Sequence, residues 1–133
     1  MEDYKNLYKI FISQSGTAGE LWKFYSAVCL GLVAAIIGSD NFKSSKVAVF
    51  TVIIGFSLFA FGNLMAILQI QPTVIALGET LNFLAVKNET LKSINLITTT
   101  EFEIKIFHVV CDVSVCAAIY LIARASWFKE SKS

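Results

Sequence analysis

Long apolar runs alternate with short polar stretches along this chain, and the pattern predicts an all-α integral membrane protein. Residues 47–68 carry no charged side chain. They correspond to about 33 Å of helix at 1.5 Å per residue, enough to cross a ~30 Å hydrocarbon layer. Two other long runs are mostly apolar but contain charged residues. We therefore predict a small helical bundle with transmembrane spans at 21–38, 47–69 and 105–127.

The segment 72–92 carries a weaker signal. It opens with Pro72, and a proline is compatible with the start of a helix but not with an undisturbed helix interior, so the chain should turn or kink there. Polar side chains such as that of Glu79 interrupt the segment, while its valine and leucine side chains keep one apolar helical face. From Pro72 to Val86 the helix would be about 22 Å long, which is short for a span. We expect a fourth helix at 72–92, either amphipathic and interfacial or a short fourth span.

The N-terminal residues predict a short amphipathic helix at 4–13, lying in the headgroup region or packing on its neighbours. Its apolar face would be formed by Tyr4, Leu7, Tyr8 and Phe11. Gly16 should end this helix. Thr17 and Glu20 have the spacing of a capping box, so the helix of the first span should begin near Ala18.

Small side chains recur at helical spacing in the first two spans, where they would let another helix backbone approach closely. They are Ala27, Gly31 and Ala35 in the first span and Gly62 and Ala66 in the second. We expect these residues to contribute to helix packing.

The last span should begin with a capped turn. Thr98 with Glu101 and Thr100 with Glu103 both match the capping-box spacing, which predicts a helix from about 101 to 128. Such a helix is about 42 Å long and exceeds the bilayer core. Its first turn should therefore protrude at headgroup level.

Composition agrees with a single membrane domain. Of the 133 residues, 56% are hydrophobic and 16% charged, against roughly 45–50% and 25% in soluble domains. A net charge of +1 gives no footprint for nucleic acid. Three cysteines fall within the apolar runs without a CxxC spacing, and we interpret them as free thiols: Cys29, Cys111 and Cys116.

The last span also contains polar groups that lie on one helical face. Lys105, His108, Asp112 and Cys116 form this intramembrane stripe. A buried acid needs a partner or a proton. Lys105 and His108 are near candidates for Asp112, and Asn63 and Glu79 are candidates from other helices.

The stripe has three interpretations: a structural polar clamp, the lining of an ion or proton pathway, or a metal or cofactor site. We expect neither metal nor cofactor, because the chain contains a single histidine.

No catalytic motif occurs in the sequence, and we expect a non-enzymatic protein. The leading hypothesis is a multi-pass protein of the plasma (inner) membrane, acting as an oligomeric, channel-like or membrane-perturbing subunit. Its stripe would face a pore or a helix interface. The alternative is an accessory or assembly subunit of a larger membrane complex. The expected partners are the lipid bilayer and either copies of the chain or other membrane subunits, with no nucleic acid.

Overall fold

The computed structural model of the protein describes residues 2–87, 91, 96 and 98–130, and within these ranges the secondary structure is helical, without strands. Its elements in chain order are α1 (Glu2–Gly38), α2 (Asp40–Ser44), α3 (Lys46–Val86) and α4 (Glu101–Glu130). Three helices are long and apolar enough to cross a membrane, namely α1, α3 and the part of α4 from Glu101 to Phe128. The predicted all-helical class with three such helices is confirmed, and the predicted spans lie within longer helices.

The connection between α1 and α3 is a capped turn. Ser45 precedes α3, and its hydroxyl oxygen accepts a hydrogen bond from the backbone N–H of Ala48 at 3.3 Å. The indole Nε1 of Trp127 on α4 donates to the backbone carbonyl of Lys43 on α2 at 2.6 Å. These bonds hold the turn closed and fasten it to the last part of α4.

α1 runs without a break through Gly16, which differs from the predicted end of a short helix at that residue. Thr17 does not cap a new helix. Its hydroxyl donates to the carbonyl of Ser13 at 3.0 Å, one turn back, while Glu20 pairs with Lys23. A glycine inside a helix is unfavourable by only about 1 kcal/mol relative to alanine, so packing of α1 on its neighbours can offset it.

α3 likewise continues through Pro72, and residues 72–86 are its last four turns. The predicted separate fourth helix at 72–92 is therefore absent among the described residues; its positions 88–90 and 92 lie outside them. A proline inside a helix is unfavourable by about 3 kcal/mol. Burial of Val74 and Leu81 against Phe11 of α1 opposes this loss.

α4 begins as predicted at a capping box. The Thr100 hydroxyl accepts from the Glu103 backbone N–H at 3.2 Å, and the Glu103 carboxylate accepts from the Thr100 N–H at 2.8 Å. The other candidate pair is not formed as a cap, since the Glu101 carboxylate pairs with Lys105.

The residues just before α4 lie along α3, and we call the described ones, 96 and 98–100, the return segment. The Asn82 side chain exchanges two hydrogen bonds with the backbone of Leu96, at 2.9 and 2.7 Å. Farther back on α3, the Gln71 amide donates to the Thr99 carbonyl at 2.5 Å. α4 therefore starts beside the middle of α3 and not at its end.

The buried side chains form three clusters along the bundle. One lies near the α1–α3 turn and contains Ile36, Val49, Ile119 and Ala123. The second, at mid-height, contains Tyr25, Phe56 and Ala60. The third, between the first half of α1 and the second half of α3, contains Phe11, Val74 and Leu81. The three clusters therefore follow one another along helices that are longer than a bilayer is thick.

The small residues predicted to pack helices face outward within this chain. Ala27, Gly31, Ala35 and Gly62 are exposed and Ala66 is half-buried. A Cβ atom added at Gly31 or Gly62 would meet no atom within 4 Å. These residues do not bring the helices of one chain together.

Candidate functional site

Three helices meet at His108, whose side chain is fully buried on α4. Its ring Nδ1 lies 3.1 Å from Asp112 Oδ2, one turn along the same helix. Its Nε2 lies 3.4 Å from the amide nitrogen of Asn63 on α3. The i, i+4 spacing places histidine and aspartate on one helical face, and α3 supplies the third group.

α1 contributes Tyr25 to the same site. Its hydroxyl donates to Asp112 Oδ1 at 2.5 Å, and its ring centroid lies 4.4 Å from that of His108. Trp22 covers the imidazole from the next turn of α1, with a centroid distance of 5.4 Å. We call Tyr25, Asn63, His108 and Asp112 the polar cluster, and it links all three long helices.

The hydrogen bonds define a proton arrangement for the polar cluster. An Asn63 amide nitrogen that donates to Nε2 makes Nε2 an acceptor, so Nδ1 carries the proton and donates to Asp112. The Asp112 carboxyl group then accepts from both His108 and Tyr25.

The polar cluster is closed to water on most sides. The His108 side chain is 0% exposed and that of Asp112 is 24% exposed. Aromatic rings lie around the cluster. They include those of Trp22 and Phe107, whose centroids lie 5.5 Å apart. Polar groups in such surroundings stabilise a bundle when they are paired and destabilise it when one partner is lost.

No family model, curated protein or solved structure matches this chain. The site is therefore interpreted from its own geometry.

The structure brings some of the predicted site residues together and separates others. Asn63 was a candidate partner for Asp112 and contacts His108 instead. Lys105 is 51% exposed and pairs with Glu101 at 3.4 Å. The Cys116 sulfur lies 3.9 Å from the Ser57 hydroxyl, outside the polar cluster. Glu79 is exposed on α3, 16 residues beyond Asn63 and so about 24 Å away along the helix.

Tyr25 is a member of the site that was not among the predicted site residues. The signal that could have identified it is its spacing with other large side chains of α1. Residues Trp22, Tyr25, Cys29, Leu32 and Ile36 recur every three or four positions and are buried or half-buried. That face, and not the small-residue face, is the one α1 turns toward α3 and α4.

The described part of the chain contains no group of three His, Cys, Asp or Glu side chains placed to hold a metal ion. The cysteines at 29, 111 and 116 are free thiols.

A cavity of about 780 Å³ lies next to the polar cluster, beyond Trp22. Its wall is mostly apolar, with Phe11, Phe102 and Phe107 contributing rings, and it falls within the ~300–1,000 Å³ range of small-molecule sites. The Ser15 hydroxyl is buried at this wall and has no hydrogen-bond partner within the described ranges. Among the described residues that line the cavity, Glu103 is the acidic one.

Proposed function

We propose that the protein is a non-enzymatic, multi-pass integral membrane subunit that acts as an oligomer. Its polar cluster is an internal clamp that fixes the packing of the three crossings. The observation that carries this proposal is that each ring nitrogen of His108 and each carboxylate oxygen of Asp112 has its partner inside the chain. A group satisfied in this way contributes to bundle packing, whereas a pathway lining needs polar groups that face water.

The tryptophan side chains support one placement of the bundle across the bilayer. Trp22 contacts Phe107 near one end, and Trp127 lies 20 residues beyond Phe107 on the same helix. That separation is about 30 Å along α4, the thickness of a hydrocarbon core. Tryptophan is enriched at both interfaces of a bilayer, so these residues would mark its two boundaries.

At this level, α1 and α3 extend beyond the bilayer on one side. We call residues 2–21 of α1 and 66–86 of α3 the hairpin extension. Each part is about 30 Å long by helical rise, and they pack through Phe11, Val74 and Leu81.

The direction of the polar cluster favours a clamp over a conducting path within one chain. Its bonds join Asn63 on α3 to His108 and Asp112 on α4 and to Tyr25 on α1. They advance by only one helical turn along α4, about 6 Å, whereas a route across a membrane needs polar groups over the whole hydrocarbon thickness. A channel-like or membrane-perturbing activity would therefore arise between copies of the chain.

The outward small-residue faces supply a route to assembly. At Gly31 and Gly62 a neighbouring helix would meet no side chain of this protein. In a bilayer, where apolar side chains gain little by leaving lipid, close backbone packing at such positions drives helix association.

The test is the oligomeric mass in mild detergent. We expect a homo-oligomer for the wild type and a shift toward the monomer for Gly31→Leu. Ala125→Leu, which adds bulk at an exposed position of α4, is the control and should keep the oligomer. A monomeric wild type, or equal effects of both substitutions, would contradict assembly through this face. Ion flux into proteoliposomes that is lost with Gly31→Leu would assign conduction to the assembly.

A second function, an accessory subunit of a larger complex, is favoured by the surface of the hairpin extension. Large apolar side chains are exposed there: Ile10, Ile12 and Phe83. A stable heteromeric partner that co-purifies in mild detergent, and is lost with Ile12→Ser, would support this alternative. A clean homo-oligomer that Ile12→Ser leaves unchanged would count against it.

A further inference from the structure

A second cavity lies at the end of the bundle opposite the hairpin extension. It has a volume of about 480 Å³ and lies between the first turns of α3 and the last turns of α4. Among the side chains that the structure describes, six line it: Lys46, Phe50, Tyr120, Arg124, Trp127 and Phe128. These six combine two cations with four aromatic rings, and none of them is acidic.

Both cations of this cavity lack acidic partners among the side chains that the structure describes, which on α4 end at Phe128. The ion pairs found among them involve other cationic groups, at Lys23, Lys43, Lys105 and His108. The Lys46 ammonium instead lies 5.5 Å from the Trp127 ring centroid, and the Arg124 guanidinium lies 5.3 Å from that of Phe128. Cation–π contacts position these groups while leaving their N–H donors available.

The aromatic wall is held in place. Trp127 is fixed by its hydrogen bond to the Lys43 carbonyl and by an edge contact with Tyr120 at a centroid distance of 6.1 Å. Phe50 and Phe128 present exposed apolar surface next to the cations. The cavity therefore has a cationic centre and an apolar exit toward the outside of the bundle.

We propose that this cavity binds the phosphate group of an anionic glycerophospholipid. The Arg124 guanidinium would donate two N–H bonds to phosphate oxygens, and Lys46 would add a second charge from α3. The acyl chains would follow the exposed Phe50 and Phe128 rings. A basic pocket between transmembrane helices at headgroup level is the setting in which anionic headgroups bind.

The choice of lipid over a soluble anion rests on two features and on the membrane placement given above as the proposed function. Trp127, the residue that marks the bilayer boundary, forms a wall of the cavity. The exposed aromatic rings would gain nothing from a free phosphate, whereas they contact the chains of a lipid. A phospholipid uses both the cationic and the apolar parts of the site.

The experiment measures lipid retention on the purified full chain by native mass spectrometry. Short-chain phosphatidylglycerol is titrated against short-chain phosphatidylcholine, and inorganic phosphate is added in a separate arm. The variants are Lys46→Gln and Arg124→Gln. The control is Lys87→Gln, which removes the same charge from a lysine that also lies over an aromatic ring, 4.1 Å from the Phe83 centroid, at the far end of α3.

We expect phosphatidylglycerol to bind more tightly than phosphatidylcholine. Each test variant should weaken its binding by about fivefold, the effect of about 1 kcal/mol per basic residue near a membrane surface, and Lys87→Gln should leave it unchanged. Equal binding of the two lipids, or an equal loss in Lys87→Gln, would overturn the site. Competition by inorganic phosphate at the lipid's own concentration would overturn the choice of lipid.

Membrane insertion is tested separately. Resistance of the protein to extraction from vesicles by alkaline carbonate reports on the three crossings alone. A chain released by carbonate would refute the proposed function whatever the lipid titration shows. A chain that stays in the vesicles but does not prefer phosphatidylglycerol refutes only the lipid site.

Discussion

The hydroxyl of Tyr25 on α1 donates a hydrogen bond to Oδ1 of Asp112 on α4 at 2.5 Å. The other carboxylate oxygen of Asp112 receives its bond from His108 on its own helix. Tyr25 therefore connects α1 to Asp112 through its hydroxyl group.

Replacing Tyr25 by phenylalanine should lower the free energy of unfolding in detergent by about 1.5–3 kcal/mol, the usual contribution of a hydrogen bond to a charged group. The ring and its packing remain, so the loss isolates the hydroxyl. Thermal or denaturant unfolding followed by circular dichroism measures it. Tyr4→Phe is the matched control, because the Tyr4 hydroxyl is buried and has no hydrogen-bond partner among the described residues, so its removal should leave stability unchanged or raise it.

Replacing Asp112 by leucine should destabilise the bundle, because Nδ1 of the fully buried His108 then loses its partner. An unsatisfied buried polar group costs about 1–3 kcal/mol. The double variant Asp112→Leu with His108→Leu should recover part of this loss, since apolar replacement of both members of a buried pair is often tolerated. Additive effects in this double-mutant cycle would show that the two side chains do not act as a pair.

Gly78→Ala should destabilise the hairpin extension. An alanine Cβ at this position would lie 2.6 Å from Cγ2 of Thr98, and overpacking of this kind costs about 1–3 kcal/mol. Thr98→Ala removes the clashing methyl group, so the double variant should regain most of the lost stability. Gly55→Ala serves as the control, because its Cβ would meet open space and alanine is favoured over glycine in a helix by about 1 kcal/mol, so stability should stay unchanged or rise. A loss as large as that of Gly78→Ala would contradict the contact with Thr98 as the cause.

The first turn of α4 should respond to acid. The backbone N–H of Thr100, and then its hydroxyl, lower the pKa of Glu103 below its ordinary value of 4.5 by hydrogen bonding to the charged carboxylate. A lowered pKa in the folded state means that the cap stabilises the helix above pH 4.5 and that this contribution is lost as the pH falls through the lowered value.

The backbone amide of Thr100 reports this transition directly. Its NMR chemical shift should titrate with a midpoint below 4.5, and Glu103→Gln should abolish the titration. Glu101→Gln is the comparison, since that carboxylate pairs with Lys105 and not with the cap. A midpoint at or above 4.5 would contradict the capping role.

The helical fold and the start of α4 could be predicted from the sequence because both depend on local patterns. Apolar runs specify crossings, and the spacing of Thr100 and Glu103 specifies a cap. The extents of α1 and α3 did not follow, because Gly16 and Pro72 are breakers only when nothing packs around them. Phe11 and Val74 supply that packing across helices, and such contacts are not visible in a single segment.

The polar cluster was partly predictable for the same reason. His108 and Asp112 lie one turn apart, so their pairing is local. Tyr25 comes from a helix 87 residues away, and its role depends on which face of α1 turns inward. The small residues predicted that the face of α1 with Gly31 packs on other helices. The buried face of α1 is instead the one that carries Trp22, Tyr25 and Ile36.

The return segment has a consequence for how the bundle meets membranes of different thickness. Because Leu96 is bonded to Asn82 and Thr99 to Gln71, the axial position of α4 is set outside the proposed bilayer. α4 cannot slide to match a thinner or thicker hydrocarbon layer without breaking these bonds. The protein should instead adapt to hydrophobic mismatch by tilting as one body.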